Sequence, residues 1–226
     1  MKALEPLLDL LFPPHCPFCG AIQDHPGICP ECSAKLPRAE GKDGLREGAG
    51  YGRCAFAVYY EGDVRESLLR FKFGGRASWA NVYARELLVP AVVEHLSGAF
   101  DCLTWVPVSR RRLRRRGYDQ AQLLAQAAGR IWETPPVQLL RKRRNNPAQS
   151  GLRDAAARRA NVLGVYEAVD PGRIAGRRVL LMDDILTTGS TLAECCRVLR
   201  AAGAAEVVCA VVAGSRPRKE GKSDEN

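Results

Sequence analysis

Three groups of residues in this 226-residue chain have the types and spacing to do chemistry. The first is the run V-L-L-M-D-D-I-L-T-T-G-S-T at positions 179–191. Asp183 and Asp184 stand side by side where an apolar run stops, so they can accept hydrogen bonds from two vicinal sugar hydroxyls. Thr187, Thr188, Gly189, Ser190 and Thr191 can aim hydroxyls and successive backbone N–H groups at one phosphate, at the start of a following helix. Those parts together suit a phosphorylated sugar. The same letters also describe a buried strand ending in solvated acids, or the acidic strand of a nucleotide hydrolase. The hydrolase reading requires a G-x-x-x-x-G-K-[ST] loop, which the chain lacks.

The second group is a pair of C-P-x-C turns, Cys16 with Cys19 and Cys29 with Cys32. Two such turns a short loop apart bring four thiolates within reach of one Zn²⁺, and four ligands leave no open position, so the site is expected to be structural. Gly20 permits the positive φ that such knuckles use. His15 and His25 lie nearby but are expected to be bystanders. The alternatives are unligated thiols or a redox C-x-x-C, and the latter occurs singly in a βαβ setting.

The third group is S-R-R-R-L-R-R-R-G, from Ser109 to Gly117, directly after an apolar segment. Forked guanidinium donors at a strand end match the geometry of a pyrophosphate. A nucleic-acid backbone patch and a solvated basic helix face are the other readings. The chain carries a net charge of +9, from 34 Lys and Arg against 25 Asp and Glu, which favours anionic partners of either kind.

These groups need a scaffold. With 46% hydrophobic and 26% charged residues the chain is expected to be globular. Strands are expected at 54–60, 102–108, 137–140, 164–169, 179–182 and 207–212. Helices are expected at 64–73, at 78–96 with a kink or division at Pro90, at 120–131 with Leu123, Leu124, Ala127, Ala128 and Ile131 in the core, and after Gly189. Alternating strands and helices point to a parallel α/β sheet, in which ligands sit beyond the carboxyl ends of the strands. Cys54, Cys102, Cys195, Cys196 and Cys209 fall in apolar runs and are expected in the core.

The division expected is an N-terminal helix through Leu4, Leu7, Leu8 and Leu11, a zinc module and a linker in 1–50; an α/β domain in 51–215; and a disordered tail in 216–226. Residues 141–161 are polar and basic, a stretch long enough to be expected to be functional or mobile, part of which (152–160) fits a short amphipathic helix. Glu5, Pro6 and Asp9 interrupt the first apolar stretch, so it makes a poor signal peptide, and no run approaches the ~18 apolar residues that span a bilayer. A cytoplasmic protein without membrane insertion is expected, in a compartment where thiols stay reduced.

The 179–191 run resembles the 5-phosphoribosyl-1-pyrophosphate (PRPP) motif of type I phosphoribosyltransferases. With the two C-P-x-C turns, Y60-E-G, F71-K-F-G-G, V106-P-V-S, R116-G-Y-D-Q-A and Q149 with R158-x-x-N161, the whole chain resembles the ComF (ComFC/GntX-like) family. The resemblance implies a type I phosphoribosyltransferase-like, Rossmann-type parallel sheet with helices on both faces, plus a small zinc module. It implies PRPP held with Mg²⁺ at Asp183, Asp184 and Thr187 to Thr191, a pyrophosphate loop of Val108, Ser109, Arg110, Arg116 and Gly117, and a flexible loop carrying Gln149, Arg158 and Asn161. It further implies a role in single-stranded DNA uptake and processing during natural competence, alongside a helicase-like partner. The alternative is an active phosphoribosyltransferase that joins ribose 5-phosphate to a nucleobase or amine and releases pyrophosphate. A zinc-stapled binding module with a vestigial sugar site is a third reading. Two positions depart from the family pattern: Asp119 replaces an amide, and Asn146 replaces a threonine.

Overall fold

A computed structural model describes residues 13–144 and 163–217. The expected first helix, the flexible-loop positions Gln149, Arg158 and Asn161, Asn146, and all but the first residues of the expected tail lie outside the described residues.

The main sheet has five strands: β1 (Leu45–Gly48), β2 (Gly52–Tyr59), β3 (Cys102–Trp105), β6 (Arg178–Leu186) and β7 (Glu206–Gly214), in the order β1-β2-β7-β6-β3. All neighbours are parallel except β1, which runs antiparallel to β2 at one edge. The remaining strands, β4 (Leu140–Lys142) and β5 (Tyr166–Ala168), form a separate antiparallel pair. The predicted parallel α/β sheet is therefore present, but the segments expected as strands at 137–140 and 164–169 stand outside it.

The helices are α1 (Pro30–Lys35), α2 (Gly62–Phe73), α3 (Trp79–Tyr83), α4 (Val89–Leu96), α5 (Arg110–Arg116), α6 (Gln120–Ile131) and α7 (Ser190–Ala201). Between α3 and α4 the chain takes one wider π turn, Ala84–Leu88, so the segment expected to kink or divide at Pro90 stays helical. Pro90 comes just after that turn, where the i→i−4 ladder is already interrupted.

The sheet divides the core in two. Strand residues alternate between its faces. In β6, Leu180 and Met182 face one cluster, with Leu68, Phe71, Tyr83 and Leu124 of the helices, while Val179 and Leu181 face the other, with Cys195, Cys196 and Leu199 of α7. Each fully buried aliphatic or aromatic side chain contributes about 1.5–3 kcal/mol. All five cysteines expected in the core are buried. Leu124, Ala127 and Ala128 are in the core as expected, whereas Leu123 is only partly buried and Ile131 is 47% exposed, because the buried stripe of α6 also takes in Ala121 and Ala125.

The linker expected at the end of residues 1–50 is structured: it includes a 3₁₀ turn (Gly41–Gly44) and β1, which extends the sheet. Its glycines serve tight turns, with φ +108 at Gly50 and +75 at Gly52. Arg216, at the head of the expected disordered tail, is fixed. Its guanidinium bonds both carboxylate oxygens of Glu61 at 2.8 and 2.9 Å and lies 3.9 Å from the centroid of the Tyr59 ring.

Candidate functional site

The four cysteines come together. Their sulfurs all lie within 4.8 Å of one another, and Cys19 and Cys29 are 3.7 Å apart. Zn–S bonds of about 2.3 Å give a tetrahedron with edges of about 3.8 Å, so the set fits zinc. The knuckles supply the expected N–H donors. Ala21 donates to Cys19 Sγ at 3.4 Å, Cys29 to Cys16 Sγ at 3.5 Å and Cys32 to Cys29 Sγ at 3.4 Å, the last making Cys29 the cap of α1. Gly20 has the expected positive φ of +79. His15 and His25 are not part of the cluster.

This module is welded to the α/β body. Cys16, Phe18 and Cys29 belong to the same core cluster as Phe71 and Tyr83. The Arg70 guanidinium donates to the carbonyls of Pro17 and Phe18 at 3.1 and 2.6 Å, and Ser67 donates to Pro17. Ile28 N–H donates to Glu86 at 3.0 Å. The knuckle thus grips α2 one turn before its C-terminus.

The C-terminus of α2 opens on a cleft of about 360 Å³, which lies over the carboxyl end of the sheet. That volume is in the range of small-molecule sites. Its floor is the end of β6, with Asp183 and Asp184, and the segment after β3, with Val106, Pro107 and Val108. One wall comes from α2, α5 and α6 and carries Lys72, Phe73, Arg112, Arg115, Arg116 and Gln120. The β4–β5 pair adds Lys142 and Tyr166 to the lining. Thr187 and Thr191 bracket the turn into α7.

Asp183 and Asp184 do not present side by side on one face. β6 continues through them to Leu186, so its period of two sends Asp183 towards the α7 side and Asp184 towards the α2 side. They straddle the end of the sheet and reach the cleft from both sides. Lys72 Nζ pairs with Asp184 at 2.7 Å, both largely shielded from water. Asp183 keeps some open surface, yet burial, and then the neighbouring Asp184 charge, push its carboxyl up to about 8. Across the cleft, burial and the Arg112 charge bring the Lys142 ammonium down to about 8. Lys142 also donates to the Tyr166 hydroxyl at 3.3 Å.

The turn after β6 is built for an anion. Gly189 precedes α7 at φ +73 with no side-chain hydrogen bond at the cap, so the positive end of the helix dipole lies at this turn. Thr188 and Ser190 hydroxyls lie 3.0 Å apart. Ser190 and Gly189 are buried, whereas Thr187 and Thr188 are exposed. The Tyr51 ring packs so closely on Gly189 that a Cβ there would lie 2.3 Å from it.

The arginine-rich segment is a helix rather than a loop. Ser109 caps α5 by accepting from Arg112 N–H at 3.4 Å, and Gly117 ends it at φ +83. Of the residues expected in a pyrophosphate loop, Val108 and Arg116 line the cleft while Ser109, Arg110 and Gly117 do not; helical spacing brings Arg112 and Arg115 there instead. Asp119 is a buried cap, accepting from Gln122 N–H at 3.2 Å and Val108 N–H at 2.8 Å. Burial raises its pKa against the opposing pull of those N–H groups. The carboxylate therefore supports the loop from behind.

The segments 71–75 and 116–121 prove to be stitched together. The Tyr118 hydroxyl donates to the Phe71 carbonyl, and Gln120 Nε2 to the Lys72 carbonyl at 3.4 Å. Arg116 Nη1 donates to Gln120 at 2.9 Å, and its guanidinium lies 4.8 Å from the Phe73 ring centroid. Sequence reasoning named neither Lys72 nor Lys142 as a site residue. A lysine closing an amphipathic helix just before Gly74-Gly75 was the available signal for Lys72; Lys142 had none beyond its basic surroundings.

Comparison with known proteins agrees with this geometry. The phosphoribosyl transferase domain model matches residues 113–226, and the double zinc ribbon domain model matches residues 7–42. The chain is 30% identical to competence protein F of Haemophilus influenzae, across 86% of this chain and 82% of that protein. It is 29% identical to competence protein ComFC of Bacillus subtilis, across 85% and 74%. It is 28% identical to the DNA utilization protein YhgH of Escherichia coli, across 85% and 80%. A solved glutamine PRPP amidotransferase from B. subtilis overlaps 60% of this chain and 25% of its own at 24% identity, with a TM-score of 0.38, too low to bear on function. Among the described residues no helix is long and apolar enough to cross a membrane.

Proposed function

Since this chain belongs to the ComF family, a zinc ribbon joined to a phosphoribosyltransferase domain, we propose that its cleft binds PRPP and that the protein acts in the uptake and processing of single-stranded DNA. One observation carries the sugar-phosphate reading. The Asp183–Asp184 pair and the uncapped start of α7 open on the same cleft as Lys72, Arg112, Arg115, Arg116 and Lys142.

In this reading the carboxylates accept from the ribose hydroxyls. The turn from Thr187 to Thr191 surrounds the 5-phosphate with N–H groups and hydroxyls. The cationic wall faces the pyrophosphate, with Arg116 and Val108 as the members shared with the expected loop. Gln149, Arg158 and Asn161 belong to the flexible loop that the family resemblance implies. Mg²⁺ bound by one or two carboxylates and the ligand's own phosphates is a normal arrangement, and Asp183 with Asp184 is the donor set that fits it. Bound there, the ion would neutralise pyrophosphate charge.

The DNA reading has support from the relatives' names and from the four exposed arginines of α5, Arg110, Arg111, Arg114 and Arg115. A cytoplasmic location and a helicase-like partner belong to the same proposal.

Calorimetry with PRPP in Mg²⁺ tests the site. Asp183→Asn with Asp184→Asn is expected to weaken binding by at least about tenfold, the equivalent of one charge-assisted hydrogen bond or more. Unchanged affinity in the double variant overturns the assignment. A pyrophosphate-release assay over nucleobases and amines then separates binding from turnover.

A further inference from the structure

Phe73 is 58% exposed, though it is the last residue of a helix whose other large apolar residues are buried or partly buried. A lone exposed apolar side chain needs no explanation. This one lines the cleft, on the same wall as Lys72, and it is held in place. The two residues before it are clamped, Phe71 through its carbonyl by Tyr118 and Lys72 through its carbonyl by Gln120. The Arg116 guanidinium lies 4.8 Å from the ring centroid and is itself anchored to Gln120. The result is an aromatic ring with a cation packed against it and more than half of its surface open.

We propose that Phe73, backed by Arg116, is the stacking platform for an unpaired nucleobase. The proposal rests on the reading of the cleft as a sugar-phosphate site, and it names the class of molecule that meets the sugar there. Three features select a base over an amine. A flat ring gains from an aromatic platform whatever its sequence identity, whereas an aliphatic amine does not. The guanidinium draws electron density from Phe73, so the ring prefers an electron-rich π partner to a second cation. The cleft is lined by Lys72, Arg112, Arg115, Arg116 and Lys142 against Asp183 and Asp184, a balance that repels a protonated amine. The base can come from two sources, a free nucleobase or an unpaired position in single-stranded DNA, and the chemistry of the platform is shared by both.

The probe is 2-aminopurine, whose fluorescence is quenched on stacking, offered to the zinc-loaded full chain either as the free base or as one position in a single-stranded oligonucleotide. Quenching by the wild-type protein is expected, with Phe73→Leu weakening the binding by at least about fivefold, the low end of what base–aromatic stacking supplies. Phe73→Trp and Phe73→Tyr should retain both affinity and quench, which a merely structural loss would not allow. Dependence on Phe73 with the free base identifies a small-molecule acceptor. The same dependence only in the oligonucleotide, and lost when that position is abasic, identifies DNA. No quench with either probe, or a Phe73→Leu protein that binds both as the wild type does, overturns the proposal. Titration of PRPP into the wild-type protein reads the other site: its failure would sink the sugar-phosphate reading and leave a Phe73-dependent quench standing.

Discussion

Asp183 shows how one residue's surroundings set the pH behaviour of a site. Its ordinary value is 3.8, and burial beside Asp184 raises it to about 8. Between those two values the folded protein holds a proton that the unfolded chain has released. Raising the pH through that window therefore weakens the fold, and above about 8 the loss is complete. Asp183→Asn removes the titration, so its advantage in thermal stability over the wild type should grow from pH 4 to pH 8 and then level off. An advantage that stays constant across that range would show that Asp183 ionises normally. Ligand binding runs the other way: if Mg²⁺–PRPP needs the ionised carboxylate, affinity in the wild type rises with pH up to about 8, and the rise is absent in Asp183→Asn. Lys72 belongs with this pair. It already neutralises Asp184 at 2.7 Å, so the charge presented to the cleft is that of a threesome rather than of two bare acids.

At the scale of elements, the turn between β6 and α7 depends on Gly189 twice over. A side chain there would take a left-handed backbone, at about 1–2 kcal/mol, and would collide with the Tyr51 ring. Gly189→Ala should lower the melting temperature and weaken PRPP binding together; full affinity in the variant would show that the turn is not the phosphate site. Such turns were readable from the letters because glycine, hydroxyls and an apolar strand act locally. The same holds for α6, whose predicted bounds match, and for the two zinc knuckles, which need only short loops. What was not readable depended on distant partners. Residues 45–48 become β1 because β2 offers an open edge. Asp183 and Asp184 separate across the sheet because β6 runs on to Leu186, held by pairing with β7. The arginines of α5 divide into cleft-facing and solvent-facing ones only once Ser109 and Gly117 fix the helix ends.

For the whole molecule, a net charge of +9 gathers partly on one helix beside the cleft. If α5 meets the phosphates of single-stranded DNA, affinity falls with salt, and each contact contributes a slope of about 0.7 in the double-logarithmic plot. Replacing Arg110, Arg111 and Arg114 by Gln should reduce that slope by about 2 and spare PRPP binding, since none of the three lines the cleft. A slope that survives the triple variant would move the DNA contact elsewhere. Those arginines are exposed, so the variant should keep its fold.

The grip of the zinc knuckle on Arg70, two residues before Lys72, makes the two halves of the chain thermodynamic partners. If zinc strengthens PRPP binding by holding α2, then PRPP must strengthen zinc binding by the same factor. Saturating PRPP should then slow the extraction of zinc by a chelator, and a zinc-depleted protein should bind PRPP more weakly. Equal extraction rates with and without PRPP, together with equal PRPP affinity after zinc removal, would uncouple them. With the coupling in place, the metal site is a reporter of the cleft: a cell rich in PRPP keeps this protein metallated, and one poor in PRPP leaves it open to losing its zinc.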